Sequence, residues 1–332
     1  MNDCRETAGP TDGLPSRLLV VDSHTIGEPT RIVIDPAWLA ECDLGQGSIA
    51  VRRRVFRKRF DALRRGIVAD PRGTEAMVGM VLLPSSEPSC AMAAIYFNEV
   101  GYLDMCGHAT IGLAVTLGHL GRIVPGTFRL ETPAGIVTVT WHGGNDASFE
   151  NVPPRRIARG LAVECADGRR VTGDISTAGL WFFLTSDHGE SLLAKEIPRL
   201  TARAWSIRRA LMSRGISGDA GQAIDHIVLL GKPESPKNNG RAFVLCPDGA
   251  FDRSPCGTAT SAIVASLYAD GFLAAEKVWR QESILGGVYE ASVRCEEGMV
   301  VPSVRGSAWI TAESTLFFNN SDPYRAGLPH IE

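Results

Sequence analysis

The chain has 332 residues, more than one hydrophobic core comfortably holds, so we expect two domains. Apolar residues make up 44% and charged residues 21% of the sequence, as in an ordinary globular protein, and disorder is expected only at the ends. The formal net charge of −3 argues against attraction of the whole protein to nucleic acid or to an anionic membrane. Small-molecule chemistry stays open.

Eight cysteines are scattered along the chain, at positions 4, 42, 90, 106, 165, 246, 256 and 295. The closest two are 10 positions apart, so there is no Cys-x-x-Cys motif for structural zinc or redox chemistry. Residues 1–16 are polar, lack the apolar stretch of a secretory signal and are expected to form a flexible lead-in. No run approaches the roughly 18 apolar residues that span a membrane. We therefore expect a soluble cytoplasmic protein with reduced thiols.

In chain order, short apolar or alternating runs predict strands at 18–21, 31–34, 76–83 and 91–97. Helices are predicted over 48–63 and 107–120, followed by a strand over 127–141 and a hairpin or loop at 142–146. The second half predicts strands at 180–185, 224–230, 241–245 and beyond 278, with helices at 201–214 and 258–272. Many strands and few helices favour α+β barrels or rolls packed around helices over a doubly wound parallel sheet.

A basic cluster lies in the first predicted helix and at its exit. Its members are Arg52, Arg53, Arg54, Arg57, Lys58, Arg59, Arg64 and Arg65. Such a cluster can bind nucleic acid. However, the apolar residues of the same segment fall near one helical face: Val51, Val55, Phe56, Phe60 and Leu63. We therefore expect the charges on the solvent side and no nucleic-acid partner.

The two halves of the chain match each other around two cysteines. Residues 105–110 and 255–260 keep Cys, Gly, Ala and Thr in register at an offset of 150 residues. Glu131 and Gly135 then match Glu282 and Gly286 at an offset of 151. A strand, loop, Cys-Gly and helix unit thus occurs twice, which predicts a duplication with pseudo-twofold symmetry.

Each of the matched cysteines stands at the predicted start of a helix. Unpaired N–H groups at a helix start stabilise a thiolate and can bind a carboxylate. The helix dipole contributes only about 0.3–1 kcal/mol, less than one pKa unit, so it cannot ionise a thiol alone. Ionisation must also draw on a water-poor pocket and on the ammonium group of a bound substrate.

The pseudo-twofold axis would bring Cys106 and Cys256 face to face. Two thiolates so close repel each other, which favours one thiolate and one thiol, an acid and base pair. Inverting a carbon stereocentre needs a proton removed from one face and another delivered to the opposite face. The pair fits this reaction better than hydrolysis, which needs a nucleophile, a base and an oxyanion hole. The other six cysteines are expected to be structural.

The sequence resembles the proline racemase family, pyridoxal-independent racemases that share a fold with diaminopimelate epimerase. Four segments carry the resemblance, at 22–30, 70–73, 105–108 and 252–258. Residues 224–227 and 243–247 most resemble the 4-hydroxyproline 2-epimerase branch. The 3-hydroxyproline dehydratase branch usually has threonine in place of Cys256, so this cysteine favours epimerisation. Proline racemase keeps both cysteines.

The resemblance implies roles for individual residues. Cys106 and Cys256 are the acid and base pair, and no metal or organic cofactor is needed. The backbone N–H groups that bind the substrate carboxylate are those of Gly107, His108, Gly257 and Thr258. The side chains implied as substrate contacts are His108, His226 and Asp252. Two departures from the family pattern bear on the substrate: Ala259 replaces a common glycine, and residues 178–180 replace a usual Gly-Gly-Asn.

The expected fold is α+β and diaminopimelate epimerase-like, with two pseudo-symmetric domains, each a strand-rich barrel or roll around a central helix. The first domain is predicted over 16–126 plus 307–332 and the second over 127–306. The predicted activity is epimerisation of 4-hydroxyproline at C2. Proline racemisation, 3-hydroxyproline dehydration and imino-acid binding without turnover are the alternatives. A small imino acid is the predicted partner, no membrane partner is expected, and a homodimer is left open.

Overall fold

The computed structural model describes residues 14–329, so Cys4 and most of the predicted lead-in lie outside the described residues. The first half contains β1 (Arg17–Thr25), β2 (Glu28–Val33), α1 (Pro36–Glu41), α2 (Ile49–Val68), β3 (Val78–Leu83), β4 (Met92–Phe97), β5 (Tyr102–Leu103), α3 (Gly107–His119), β6 (Gly126–Thr132), β7 (Gly135–Gly143) and β8 (Asp146–Glu150).

The second half contains β9 (Arg155–Glu164), β10 (Arg170–Thr177), β11 (Trp181–Thr185), a 3-10 turn (Ala194–Glu196), α4 (Ile197–Ser213), β12 (His226–Gly231), β13 (Gly240–Leu245), α5 (Gly257–Ala269), β14 (Trp279–Ser283), β15 (Val288–Glu296) and β16 (Met299–Phe317). Within residues 14–329, no helix is both long and apolar enough to cross a membrane.

Seven strands of the first half and β16 close into a barrel. Their order is β1-β2-β3-β4-β6-β7-β8-β16, and β16 pairs again with β1. Two neighbouring pairs are parallel, β2 with β3 and β4 with β6, and the others are antiparallel. The second half continues from the same strand in the order β16-β15-β14-β13-β12-β11-β10-β9. It repeats the pattern, because β11 with β12 and β13 with β14 are its parallel pairs.

A helix fills the middle of each half. Every residue of α3 from Gly107 to Leu117 is buried, and so is every residue of α5 from Gly257 to Val264. Such helices are apolar all round because sheet surrounds them. Helices α2 and α4 instead cover the outside of the strands with one apolar face each. The expected α+β fold, with a strand-rich barrel or roll around each central helix, is confirmed.

The duplication extends to a buried glutamate in each half. Glu131 on β6 accepts hydrogen bonds from the Ile49 N–H (3.0 Å) and from Ser85 and Ser86 in the loop after β3. Glu282 on β14 accepts bonds from the loop after β12, at the N–H groups of Glu234 and Ser235 and at the Asn238 amide. An arginine lies against each carboxylate, Arg52 at 3.5 Å and Arg241 at 3.1 Å. The two glutamates that match at an offset of 151 residues therefore have the same role, as a buried acceptor of hydrogen bonds from a loop, in the two halves.

The solvent-side prediction is wrong for two members of the basic cluster. Arg52 and Arg64 are only 7% and 5% exposed. Arg52 donates to the Pro84 carbonyl (2.6 Å), and Arg64 donates to the carbonyls of Asn98 and Glu99 (2.6 and 2.7 Å). These guanidinium groups donate to backbone carbonyls that would otherwise lack a hydrogen-bond partner once water is excluded, and this compensates for their burial.

The other elements largely follow the predictions. The helices predicted at 107–120 and 258–272 correspond to α3 and α5, and the hairpin at 142–146 joins β7 to β8. The strand predicted over 127–141 is wrong as a single strand, because a turn at Pro133 and Ala134 divides it into the β6–β7 hairpin. The predicted helix 48–63 extends to Val68 as α2.

Strand β16 is shared by the two halves. Residues 299–305 pair with β15, residues 303–307 pair with β8, and residues 308–317 pair with β1. Strands β6, β7 and β8 follow residue 126 but belong to the closed barrel. The division of the chain into two domains stays a prediction.

Candidate active site

The starts of α3 and α5 meet at the centre of the molecule. A methyl carbon placed on Gly107 would lie 3.0 Å from the Gly257 Cα, and one placed on Gly257 would lie 3.2 Å from the Gly107 Cα. Either carbon would also lie within 3.0 Å of the Phe149 ring, which packs behind both glycines. Only glycine at both positions lets the two helix starts approach this closely.

Cys106 and Cys256 are the N-cap residues of these two helices and line one cavity. All eight predicted site residues line that cavity: Cys106, Gly107, His108, His226, Asp252, Cys256, Gly257 and Thr258. The cavity volume is about 60 Å³. Among the described residues of its wall there is no lysine or arginine, so an anion would bind there to uncharged donors, among them the backbone N–H groups at the helix starts.

Each thiol lies beside the side chain two residues further along its helix. The Cys106 Sγ lies 3.3 Å from the His108 Nδ1, and the Cys256 Sγ lies 3.5 Å from the Thr258 Oγ1. Burial lowers the pKa of His108 to about 4, so its imidazole is neutral at neutral pH. The two thiols therefore have different neighbours at equivalent positions.

Neither thiol is ionised by its helix start alone. Burial raises the pKa of Cys106 well above its usual value, and the N–H groups of Ala109 and His108 only partly oppose this effect. Burial also raises the pKa of Cys256, and the charge of Asp252 adds to the increase. The thiol form therefore dominates in the empty cavity, as expected for a dipole that contributes less than one pKa unit.

The backbone conformations of the two cysteines differ. Cys106 is extended, with φ of −141°, whereas Cys256 has φ of +59°, in the left-handed region. This conformation costs an L-residue other than glycine about 1–2 kcal/mol. Ser254 supports it, because its hydroxyl accepts the Cys256 N–H (3.2 Å) and in turn donates to Asp252 (2.7 Å). The surrounding structure thus holds Cys256 in a strained position.

Three carboxyl groups face the cavity, those of Glu28, Asp248 and Asp252. Burial raises the pKa of Asp252. Burial, followed by the charge of Asp252, raises the pKa of Glu28 well above its usual value. Burial also raises the pKa of Asp248. A cationic ligand group would relieve this crowding of negative charge.

His226 also lines the cavity, at the start of β12. Its Nδ1 lies 2.7 Å from an oxygen of Asp225, and its ring packs against Phe182 with centroids 5.1 Å apart. A carboxylate only accepts hydrogen bonds, so this contact requires a proton on Nδ1. His226 is therefore held in one orientation.

Four other polar or titratable residues of the cavity wall were not predicted as site residues: Glu28, Asn98, Cys246 and Asp248. Cys246 was expected to be only structural. Asn98 and Asp248 are 150 positions apart, like the two cysteines, and the Asn98 amide nitrogen lies 3.4 Å from Asp248. Residues 98–105 and 248–255 share no identical residue at this offset, so the internal match gives no signal for this pair. Within residues 14–329, no group of three or more His, Cys, Asp or Glu side chains could hold a metal ion.

A duplicated fold with two central helices and one thiol from each half in a common cavity defines a diaminopimelate epimerase-like isomerase. The chain belongs to the proline racemase family, whose model matches residues 20–329. The 4-hydroxyproline epimerase of Burkholderia cenocepacia is 45% identical over 94% of this chain and 99% of that protein. The 4-hydroxyproline 2-epimerase of Acinetobacter baumannii is 43% identical over 93% of this chain and 98% of that protein.

Solved structures support the fold. A crystal structure of a hydroxyproline epimerase from Agrobacterium vitis, with bound trans-4-hydroxy-L-proline, has a TM-score of 0.83. It is 19% identical and covers 95% of this chain and 95% of its own. At that identity the likeness concerns the fold.

Proposed function

We propose that this protein epimerises 4-hydroxyproline at C2, interconverting trans-4-hydroxy-L-proline and cis-4-hydroxy-D-proline. The observation that carries the proposal is the placement of Cys106 and Cys256 at two abutting helix starts in one small cavity. Relatives that are 43–45% identical over nearly the whole chain are named 4-hydroxyproline epimerases. The reaction and its substrate are therefore proposed together.

The substrate carboxylate is proposed to bind at the helix starts. The wall offers it the backbone N–H groups of Gly107, His108, Gly257 and Thr258, and no lysine or arginine from the described residues. Helix N-termini favour anions, and two of them converge here. As the α-proton leaves, negative charge spreads onto the carboxylate, so the same N–H groups stabilise the transition state.

The ring nitrogen is proposed to bind between His108 and Asp252. Asp252 is buried, has a raised pKa and accepts hydrogen bonds from the uncharged Ser254, so a substrate ammonium group adds a positively charged partner for this carboxylate. His108 is neutral and can accept a hydrogen bond from the nitrogen. His226, with Nδ1 held by Asp225, contacts the substrate through Nε2.

Proton transfer is proposed to involve two protons. One is on either of the two sulfur atoms, so that one is a thiol and the other a thiolate, and the second is the proton on C2. A thiolate on one face takes the proton from C2, and the electron pair of the C–H bond moves toward the carboxylate. The thiol on the other face then gives its proton to C2. The enzyme finishes with thiol and thiolate exchanged, and the pair can run the reaction in either direction.

Activation of the pair is proposed to accompany binding. The pKa of each thiol is raised by burial in the empty cavity, so a thiolate is scarce before substrate arrives. The ammonium group of the substrate brings a positive charge into a cavity whose ionisable wall is otherwise acidic. This charge favours loss of one thiol proton, while repulsion between two thiolates keeps the other thiol protonated.

The test is incubation in deuterated water with four substrates side by side: the two 4-hydroxyproline epimers, proline and trans-3-hydroxyproline. We expect deuterium at C2 and a change of optical rotation for both 4-hydroxyproline epimers, with slower turnover of proline. Faster turnover of proline would make the protein a proline racemase. A cyclic imine from 3-hydroxyproline would indicate a dehydratase, and binding without labelling would indicate a binding protein. The cytoplasmic location and a homodimer stay predictions.

A further inference from the structure

One hairpin of the first barrel touches both thiol-bearing turns. The Thr25 hydroxyl, at the end of β1, donates to the His108 carbonyl of α3 (2.7 Å). Glu28, the first residue of β2, accepts the Arg253 N–H through its Oε2 (2.7 Å). Arg253 lies 225 residues after Glu28 and belongs to the turn that leads to Cys256. The β1–β2 hairpin therefore contacts the approach to each thiol.

The hairpin is also packed against the second half. The side chain of Ile26 lies so close to Gly287 that a methyl carbon there would come within 1.9 Å of it. Ile26 and Gly27 both have positive φ, +50° and +94°, so the turn between β1 and β2 has a defined, tight conformation. A buried carboxyl at its end is thus presented from a rigid support.

The turn before Cys256 needs such a support. Cys256 has φ of +59°, and only the Ser254 hydroxyl accepts its N–H. Ser254 is in turn bound twice by one oxygen of Asp252, through its N–H (2.9 Å) and its hydroxyl (2.7 Å). These bonds lie within the turn and do not attach it to the first barrel. The bond from the Arg253 N–H to Glu28 does.

We propose that Glu28 is a positioning residue that fixes the Asp252–Cys256 turn to the first barrel and so sets where the second thiol stands opposite the first. This inference rests on the proposed two-thiol reaction, since a displaced Cys256 matters only where two sulfurs act on one carbon. A displacement of about 1 Å can slow such a reaction about 100-fold. Cys106 does not depend on this bond.

The hydrogen bond does not need a charged Glu28. Burial, followed by the charge of Asp252, raises the pKa of Glu28 well above its usual value. A protonated carboxyl still accepts an N–H through its carbonyl oxygen, and glutamine has the same shape and the same acceptor. Glu28→Gln is therefore the conservative variant, Glu28→Ala removes the acceptor, and Ser254→Ala weakens the same turn at its second bond.

Kinetics with 4-hydroxyproline provide the first measurement. We expect Glu28→Ala to lower kcat about 10- to 100-fold with KM within about twofold, and Glu28→Gln to restore kcat to within about threefold of the native enzyme. Ser254→Ala should lower kcat in the same direction. Raised KM with unchanged kcat would make Glu28 a substrate contact and overturn the proposal. Equal losses in the glutamine and alanine variants would overturn it too, because charge would then be the requirement.

Thiol alkylation tests the proposal without turnover. Each variant is treated with iodoacetamide, and the labelling rates of Cys106 and Cys256 are read separately by peptide mass spectrometry. Loosening the turn exposes Cys256 and relieves the burial that raises its pKa, so Glu28→Ala should label Cys256 at least about threefold faster than Glu28→Gln. Cys106 should label equally in these two variants, because both lack the Glu28 charge that contributes to the raised pKa of Cys106. Equal acceleration at both thiols would indicate general loosening and overturn the proposal. If the native enzyme failed to turn over hydroxyproline, the proposed function would fall while this labelling pattern still stood.

Discussion

The turns that lead to Cys106 and Cys256 begin equivalent helices but are built differently. Cys106 has an ordinary extended backbone and a neutral histidine beside its sulfur. Cys256 has a left-handed backbone and a threonine beside its sulfur, and three short-range bonds plus one from the other half hold its turn. Matched chemistry on two faces of a substrate therefore does not require matched support. Duplication supplied the two helix starts, and each half stabilises its own thiol in its own way.

The largest effect should come from the thiols themselves. Cys106→Ser and Cys256→Ser should each reduce epimerisation by about 10³-fold or more, because each removes one of two proton carriers. Polarimetry with 4-hydroxyproline measures the loss. Cys90→Ser, a change outside the cavity, is the matched control and should keep native activity. Near-native activity in either active-site variant would end the two-thiol interpretation.

Substitutions at His108 and at Thr258, the equivalent position of the second half, should affect the pH dependence of stability differently. The pKa of His108 falls from 6.5 to about 4 on burial, so the unfolded chain binds the proton more tightly. The contribution of the neutral imidazole to the free energy of unfolding is complete above pH 6.5 and declines by about 3 kcal/mol as the pH falls to 4.

His108→Asn should remove that part of the decline, as measured by urea unfolding at pH 7.5 and 4.5. Thr258→Ser, at the equivalent position, should keep the native pH dependence because it changes no titrating group. Parallel pH profiles for the native protein and His108→Asn would contradict the shifted histidine.

The glycines should show where the halves are alike. A methyl group at Gly107 or Gly257 meets the Phe149 ring and the opposing Cα, so Gly107→Ala and Gly257→Ala should each force the helix starts apart. We expect about 100-fold loss of kcat in both. Gly101→Ala is the control, since nothing lies within 4 Å of the added carbon. A large difference in kcat between the two active-site variants would show that one helix start accommodates the added methyl group better than the other.

The smallest effect should come from the paired glutamates. Glu131→Gln and Glu282→Gln should each lower the free energy of unfolding by about 1–3 kcal/mol, because each disturbs a buried acceptor with several donors. Urea midpoints measure the change, and exposed Glu41→Gln should leave them unmoved.

The effect of Glu131→Gln should also depend on pH. Burial opposes ionisation, but bonds from Ser85, Ile49 and Ser86 hold the pKa of Glu131 at about 2, below its usual 4.5. Its contribution is therefore complete above pH 4.5 and is lost as the pH falls toward 2. A variant whose deficit stayed constant down to pH 2.5 would contradict the depressed pKa.

Local patterns predicted the centre of the molecule well. The repeated Cys-Gly motif gave the first residue of α3 correctly and placed the start of α5 one residue late, because a capping position, a glycine and an apolar run point to nearly the same boundary. The eight predicted site residues all line one cavity. Their catalytic and binding roles stay predictions.

The missed features depend on distant parts of the chain. Strand β9 was not predicted because it is an edge strand with arginines and glutamate, a pattern that local rules do not assign to sheet. Arg52 and Arg64 were placed in solvent because their carbonyl partners come from other elements. The contact of Glu28 with residue 253 follows from the closure of two halves, which helix and strand periodicity do not encode.

The shared strand β16 also governs when the protein can fold. Residues 17–25 at one end of the chain close the first barrel by pairing with residues 308–317 at the other end. During synthesis the first barrel therefore lacks one strand until residues 308–317 have left the ribosome. Truncation within β16 should accordingly affect the barrel that is synthesised first. A purification tag at the C-terminus selects chains that contain all of β16 and can therefore close this barrel.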